Sequence, residues 1–240
     1  MAHLLVPSRF CGPPSSGNGG WTAGALAELT GIDPAAGLSV SLRRPPPLDT
    51  PMPVSSADGV TVATLADEVV ARAEPAGAAP TLAEPVPPDE ARAAEASYAG
   101  LVFHPFPTCF VCGVGRAEGE GLRIFPGRVE DQDGAARVAA TWTPHPSVGA
   151  DGQVGLPVTW AALDCVGGWA GDLEERLMVL ARMTAWVDAA PRIGEEHVVV
   201  GLGRGSEGRK TFTASTLYDA DGRVVARAEH VWVAVNPAAF

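Results

Sequence analysis

The chain's 240 residues, 46% of them hydrophobic, are enough for one large domain or two smaller packed ones. Its formal charge of −11, with no basic cluster, makes nucleic acid and anionic membrane faces poor partners. With neither a leader-like start nor an apolar run long enough to cross a bilayer, it reads as cytoplasmic, with Cys11, Cys109, Cys112 and Cys165 as reduced thiols.

A short strand is expected at Leu4–Phe10, followed by a helix over Gly17–Leu29, whose Gly and Asn entry suits a helix start. Strands follow at Leu38–Arg44, Met52–Ala57, Val60–Leu65 and Val69–Ala73, with Asp58-Gly59 in a turn. Residues 75–100 are rich in Pro, Ala and Glu and read as a linker with one helical turn across Asp89–Ala96. It separates an N-terminal unit, 1–74, from a C-terminal unit, 101–240. The second unit repeats the order: a strand at Arg137–Trp142, then a buried helix over Val158–Ala170. Strands come next at Leu177–Asp188, His197–Gly203, Lys210–Tyr218 and Arg223–Val235, the last two joined by a turn at Asp221-Gly222. The hexapeptide VVARAE stands at 69–74 and again at 224–229, in the last strand of each unit. Such repetition points to an internal duplication.

One helix wrapped by a curved antiparallel meander, written twice, is an α+β double hotdog. The segment Cys109-Phe110-Val111-Cys112-Gly113, followed by Gly121-Leu122-Arg123-Ile124-Phe125, resembles the front of thioesterase-superfamily hotdog proteins of the PaaI-like kind. The late strands, from Gly201-Leu202-Gly203-Arg204 to Gly222–Ala226, are similar to that family's as well. The resemblance implies a hydrolase of acyl thioesters. In that family a His-Gly-Gly helix start is followed, nine positions after the His, by a carboxylate that acts as nucleophile or base. Backbone N–H groups at the helix start polarise the thioester carbonyl.

Each unit holds half of that pattern. In the second, Gly155-Leu156-Pro157 takes the place of His-Gly-Gly and Asp164 stands nine residues on (164 − 155), but Pro157 has no N–H. In the first, Asn18-Gly19-Gly20 keeps the glycines, whereas the ninth position (27 − 18) is Ala27, with Glu28 one residue further. The inference is one composite catalytic site, with helix-start donors from Asn18, Gly19 and Gly20, and Asp164 as the acid. Glu28 is the fallback base. The plainer readings are that Asp164 bonds a neighbouring loop, that Asn18–Gly20 is only a helix entry, and that Glu28 is solvated. Arg204, Arg209 and Lys210 flank a Gly-rich turn and resemble the place where related proteins hold the phosphates of coenzyme A, although a solvated hairpin tip accounts for them too.

Cys109 and Cys112 have the spacing of a metal pair, but a closed zinc site wants four ligands and only His104 stands nearby in sequence. They read as packed thiols beside a Gly turn, and no metal is expected. The expected partner is an acyl-CoA, with no cofactor beyond the coenzyme A of the substrate. A chain holding both units would bury the central interface as a monomer, and this leaves room for association into a homodimer. A non-catalytic acyl-binding protein is the alternative. An enoyl-CoA hydratase is disfavoured, because His145 in TPHPSVGAD lacks the Asp that such a loop requires.

Overall fold

Two helices that are apolar all round occupy the middle of the molecule, as such helices must. They are α1 (Gly19–Leu29) and α3 (Leu156–Ala170), both buried along nearly their whole length. The computed structural model describes residues 2–171 and 173–236. In chain order the other elements are β1 (His3–Leu4), β2 (Leu38–Leu42), β3 (Met52–Ala57), β4 (Val60–Leu65), β5 (Glu68–Pro75) and α2 (Pro88–Ala94). Then come β6 (Gly127–Gln132), β7 (Ala135–Trp142), β8 (Gly149–Ala150) and β9 (Gln153–Val154) ahead of α3. The chain continues through β10 (Met178–Val187), β11 (His197–Glu207), β12 (Lys210–Tyr218) and β13 (Val224–Ala234).

Among the described residues, eleven strands form one antiparallel sheet in the order β1-β3-β4-β5-β2-β10-β13-β12-β11-β7-β6. After each helix the four following strands pair in the same way: β3-β4-β5-β2 in the first half and β11-β12-β13-β10 in the second. A strand earlier in the chain than each helix, β1 or β7, pairs with the second strand after that helix, β3 or β11. VVARAE thus lies in equivalent strands, β5 and β13. The halves meet at a seam of four residue pairs between β2 and β10, from Ser41↔Arg182 to Leu38↔Ala185.

α1 crosses α3 at close range because two glycines of α1 face it. A Cβ on Gly20 would sit 2.5 Å from Asp164 Cβ, and one on Gly24 would sit 2.8 Å from Pro157 Cα. These pairings run the helices antiparallel, with the start of α1 against the middle of α3. The small-residue spacing, four apart, is what lets the backbones approach.

Three sequence expectations change. The first strand is only His3–Leu4; Pro7 offers no ladder donor and Ser8–Phe10 coils into a 3-10 turn instead. α3 begins at Leu156, because Pro157 is tolerated in a first turn where its N–H would have no partner. β6, the polar GRVEDQ at the sheet edge, was not anticipated. Residues 76–100 include α2 and lie along the outer face of the second half. Ala83, Val86 and Ala91 are buried there against Val198, Val200, Leu202 and Tyr218. The Ala83 N–H donates to Thr216 Oγ1 at 3.0 Å, and the Tyr218 hydroxyl donates to Ala83 O.

Candidate functional site

The entry to α1 is built by Asn18. Its Oδ1 accepts from the Trp21 N–H at 2.8 Å, capping the helix, and this aims its Nδ2 across to α3. There Nδ2 donates to Asp164 Oδ2 at 3.0 Å, and the Gly20 N–H donates to the same oxygen at 2.9 Å. The helix start therefore grips the carboxylate. Asp164 is 2% exposed, and its Oδ1 is buried with no hydrogen-bond partner. Burial pushes the carboxyl up to about 7, while the bonds from Gly20 and Asn18 pull it the other way. Gly19, the first residue of α1, donates its N–H to no described residue and lines the same cavity as Asp164.

That cavity encloses about 300 Å³ and is mainly apolar, with Phe106, Leu173, Met178, Leu180 and Trp232 in its wall. Its mouth follows from the seam. β2 stops at Leu42, and the next residues are Arg43, Arg44 and three prolines, Pro45 to Pro47, which cannot donate to a ladder. Met178–Ala181 of β10 therefore have no β2 partner, and both stretches border the cavity. The Gly17 N–H bonds Pro46 O at 2.8 Å, which ties this rim to the start of α1. Arg44 pairs with Glu68, whereas the exposed Arg43 guanidinium has no partner among the described residues.

Of the residues singled out in the sequence, Asn18, Gly19, Gly20 and Asp164 come together here. The space above Gly20 is filled by Asp164 and that above Gly19 by Leu180, so these glycines admit protein rather than ligand. Glu28 is exposed near the far end of α1 and does not line the cavity. Nor do Arg204, Arg209 and Lys210. Arg204 donates to Thr81 O at 2.9 Å and borders a separate depression, and Arg209 bonds Ala234 O at 3.1 Å. At the start of α3, Gly155 caps without a side-chain bond, and no acid stands on α1 opposite it: Gly24 meets Pro157, and Ala27 is fully buried.

Sequence reasoning also missed a cluster. Cys165, the residue after Asp164, points its sulfur at the Cys109/Cys112 pair, and the three Sγ atoms lie within 4.8 Å of one another. His104 Nε2 is 3.3 Å from Cys112 Sγ. A separation of 56 residues between Cys109 and Cys165 hides this from any local motif. The four side chains line the same cavity as Asp164.

No protein-family model matches the chain, and no curated protein does. Solved structures do match. A conserved protein with a hotdog fold from Alicyclobacillus acidocaldarius aligns over 98% of this chain and 93% of its own, with a TM-score of 0.61 at 14% identity. The tesB protein of Mycobacterium avium subspecies paratuberculosis covers 97% of this chain and 91% of its own, at 0.59 and 12%. An acyl-CoA thioesterase II from Mycobacterium marinum covers 92% and 91%, at 0.58 and 13%. Matched along nearly its whole length by these structures, and built as an antiparallel sheet packed on buried helices, the chain has the hotdog fold.

Proposed function

We propose that the chain is a double hotdog, two tandem units over 1–74 and 101–240 joined by 75–100, with one composite site that hydrolyses an acyl thioester. The duplication is supported by the shared strand order of the halves and by VVARAE in equivalent strands. The observation that carries the hydrolase reading is the state of Asp164, a residue that lines the cavity: one oxygen is fixed by Asn18 and Gly20, and the other is buried and unpartnered.

Oδ2 is anchored, so Oδ1 is the oxygen left to take a proton. A water held there loses its proton to Oδ1 as its oxygen attacks the thioester carbonyl. The Gly19 N–H, unpaired at the positive end of α1, donates to the oxyanion that forms. Collapse of the intermediate breaks the C–S bond, and the proton on Asp164 passes to the departing sulfur, giving a carboxylic acid and a thiol. The apolar wall suits an acyl chain. Arg43 on the rim is the cation best set to meet the phosphates of an acyl-CoA, in place of Arg204, Arg209 and Lys210.

The test is thiol release, followed with a chromogenic thiol reagent over short, long and aromatic acyl-CoAs, for the natural chain and for Asp164→Asn. Turnover that collapses in the folded variant supports the assignment. A folded chain that releases no thiol from any of these esters would sink it, leaving an acyl-binding protein that direct titration with the same esters would reveal.

A further inference from the structure

The three clustered cysteines behave unlike the fourth. Cys11 stands apart, donating its S–H to Thr108 O at 3.4 Å and accepting from Arg116 Nη2 at 3.2 Å. Among the described residues, the sulfurs of Cys109, Cys112 and Cys165 have no carbonyl acceptor; they have N–H donors and one another. Cys109 and Cys112 lie in a tight turn that Gly113 closes with its N–H on Cys109 O at 3.0 Å. A Cβ on Gly113 would lie 2.5 Å from that carbonyl oxygen, so the turn requires glycine. His104 Nδ1 accepts from the Phe106 N–H at 3.0 Å, which puts the proton of the neutral ring on Nε2, facing Cys112 Sγ. Asn18 Nδ2 lies 3.9 Å from the sulfurs of both Cys109 and Cys165.

The three sulfurs converge on one point in the wall of the cavity. Three thiolates this close repel one another unless a cation stands between them. A zinc–sulfur bond of about 2.3 Å in tetrahedral geometry sets sulfurs about 3.8 Å apart; Cys109 and Cys165 are 3.7 Å apart, and all three sulfurs lie within 4.8 Å of one another. We propose that Cys109, Cys112 and Cys165 bind a zinc ion as three thiolates, with the fourth position open to the cavity and taken by water. His104 is a positioning residue that donates to the Cys112 sulfur, since its Nε2 proton bars it from being a ligand. Binding displaces one proton from each thiol, and no electron is transferred. The metal would pin the turn carrying Cys109 and Cys112 to α3 beside Asp164.

The experiment needs no thioester, so it stands or falls apart from the hydrolase assignment. The full chain is purified under reducing conditions, loaded with zinc, desalted against a weak chelator and analysed for metal. About one zinc per chain is expected, with the three clustered thiols slower to react with a thiol reagent in the loaded chain than in the metal-free one. Cobalt in place of zinc should give the sulfur-to-metal charge-transfer bands and intense visible bands of a tetrahedral thiolate site. Cys165→Ser and His104→Phe should each weaken zinc binding at least about tenfold. If Cys165→Ser does not fold, the cobalt spectrum of the natural chain decides. The proposal is overturned if the folded natural chain keeps no zinc, shows only a weak octahedral cobalt spectrum, and exposes the same thiols with or without metal.

Discussion

The starts of α1 and α3 occupy corresponding places in the strand order of the two halves and differ in opposite senses. At α1, Asn18 caps the helix and the N–H groups of Gly19 and Gly20 face the neighbouring helix or the cavity. At α3, Gly155 caps with no side chain and Pro157 has removed a donor, while the acid sits further along as Asp164. Antiparallel packing brings the donors of one helix to the acid of the other at one end of the pair and leaves the opposite end with neither.

The sharpest way to break this asymmetry is Asp164→Asn. It keeps the volume that fills the space above Gly20 but removes the base, and kcat/KM for a responsive acyl-CoA should fall by about 10²–10⁴-fold. Stability should also respond to pH through a group that backs α3 alone. His230 is buried, with Thr213 Oγ1 3.1 Å from its Nδ1, and burial lowers its pKa to about 4. The unfolded side chain takes its proton near 6.5, so between those values the unfolded state binds more protons and stability falls as pH drops. Relative to His230→Asn, the natural chain should lose up to roughly 3 kcal/mol from pH 6.5 to 4, with no further loss from this group below that. Urea midpoints across that range measure it, and a constant difference between the two chains would count against a buried neutral histidine.

The helix starts themselves can be compared by single substitutions. Gly20→Ala forces a Cβ to within 2.5 Å of Asp164 Cβ and 2.9 Å of Trp160 O, both anchored atoms. It should cost about 1–3 kcal/mol and lower turnover as well, because the carboxylate moves. Gly155→Ser meets nothing nearer than Pro157 Cδ at 3.8 Å and supplies the missing cap. A gain of about 0.3 kcal/mol is expected, with activity unchanged. Equal losses in the two variants would mean that the helix starts are not as different as their surroundings imply.

Much of this was legible in the sequence. Strands rich in β-branched residues and two apolar helices declare themselves by composition and period, and the offset of nine linked Gly155 to Asp164 before any coordinates. What stayed hidden depends on residues distant in the chain. Gly20 and Gly24 read as helix-entry and helix-interior glycines until α3 is laid against them. Cys165 joins Cys109 and Cys112 only through the packing of α3. β6 is polar and half solvated at a sheet edge, so it lacks the alternation that marks an inner strand. Residues 76–100 read as a linker because few of them are large and apolar, yet Ala83, Val86 and Ala91 suffice to fix the segment on the flat outer face of β11 and β12. Arg43 and Arg44 carry no local signal of a role, since their place on the rim follows from where the seam stops.

That stopping point sets two demands against each other. A sheet gains by zipping as far as its strands allow, and β10 offers four more residues, Met178 to Ala181, beyond the last pair with β2. Pro45, Pro46 and Pro47 act as a wedge that halts the zipper there. Replacing them with strand-forming residues would favour closure of the aperture, so the same substitutions that strengthen the ladder would shut the way in. The prolines thus tie the width of the opening to bonds the sheet has forgone.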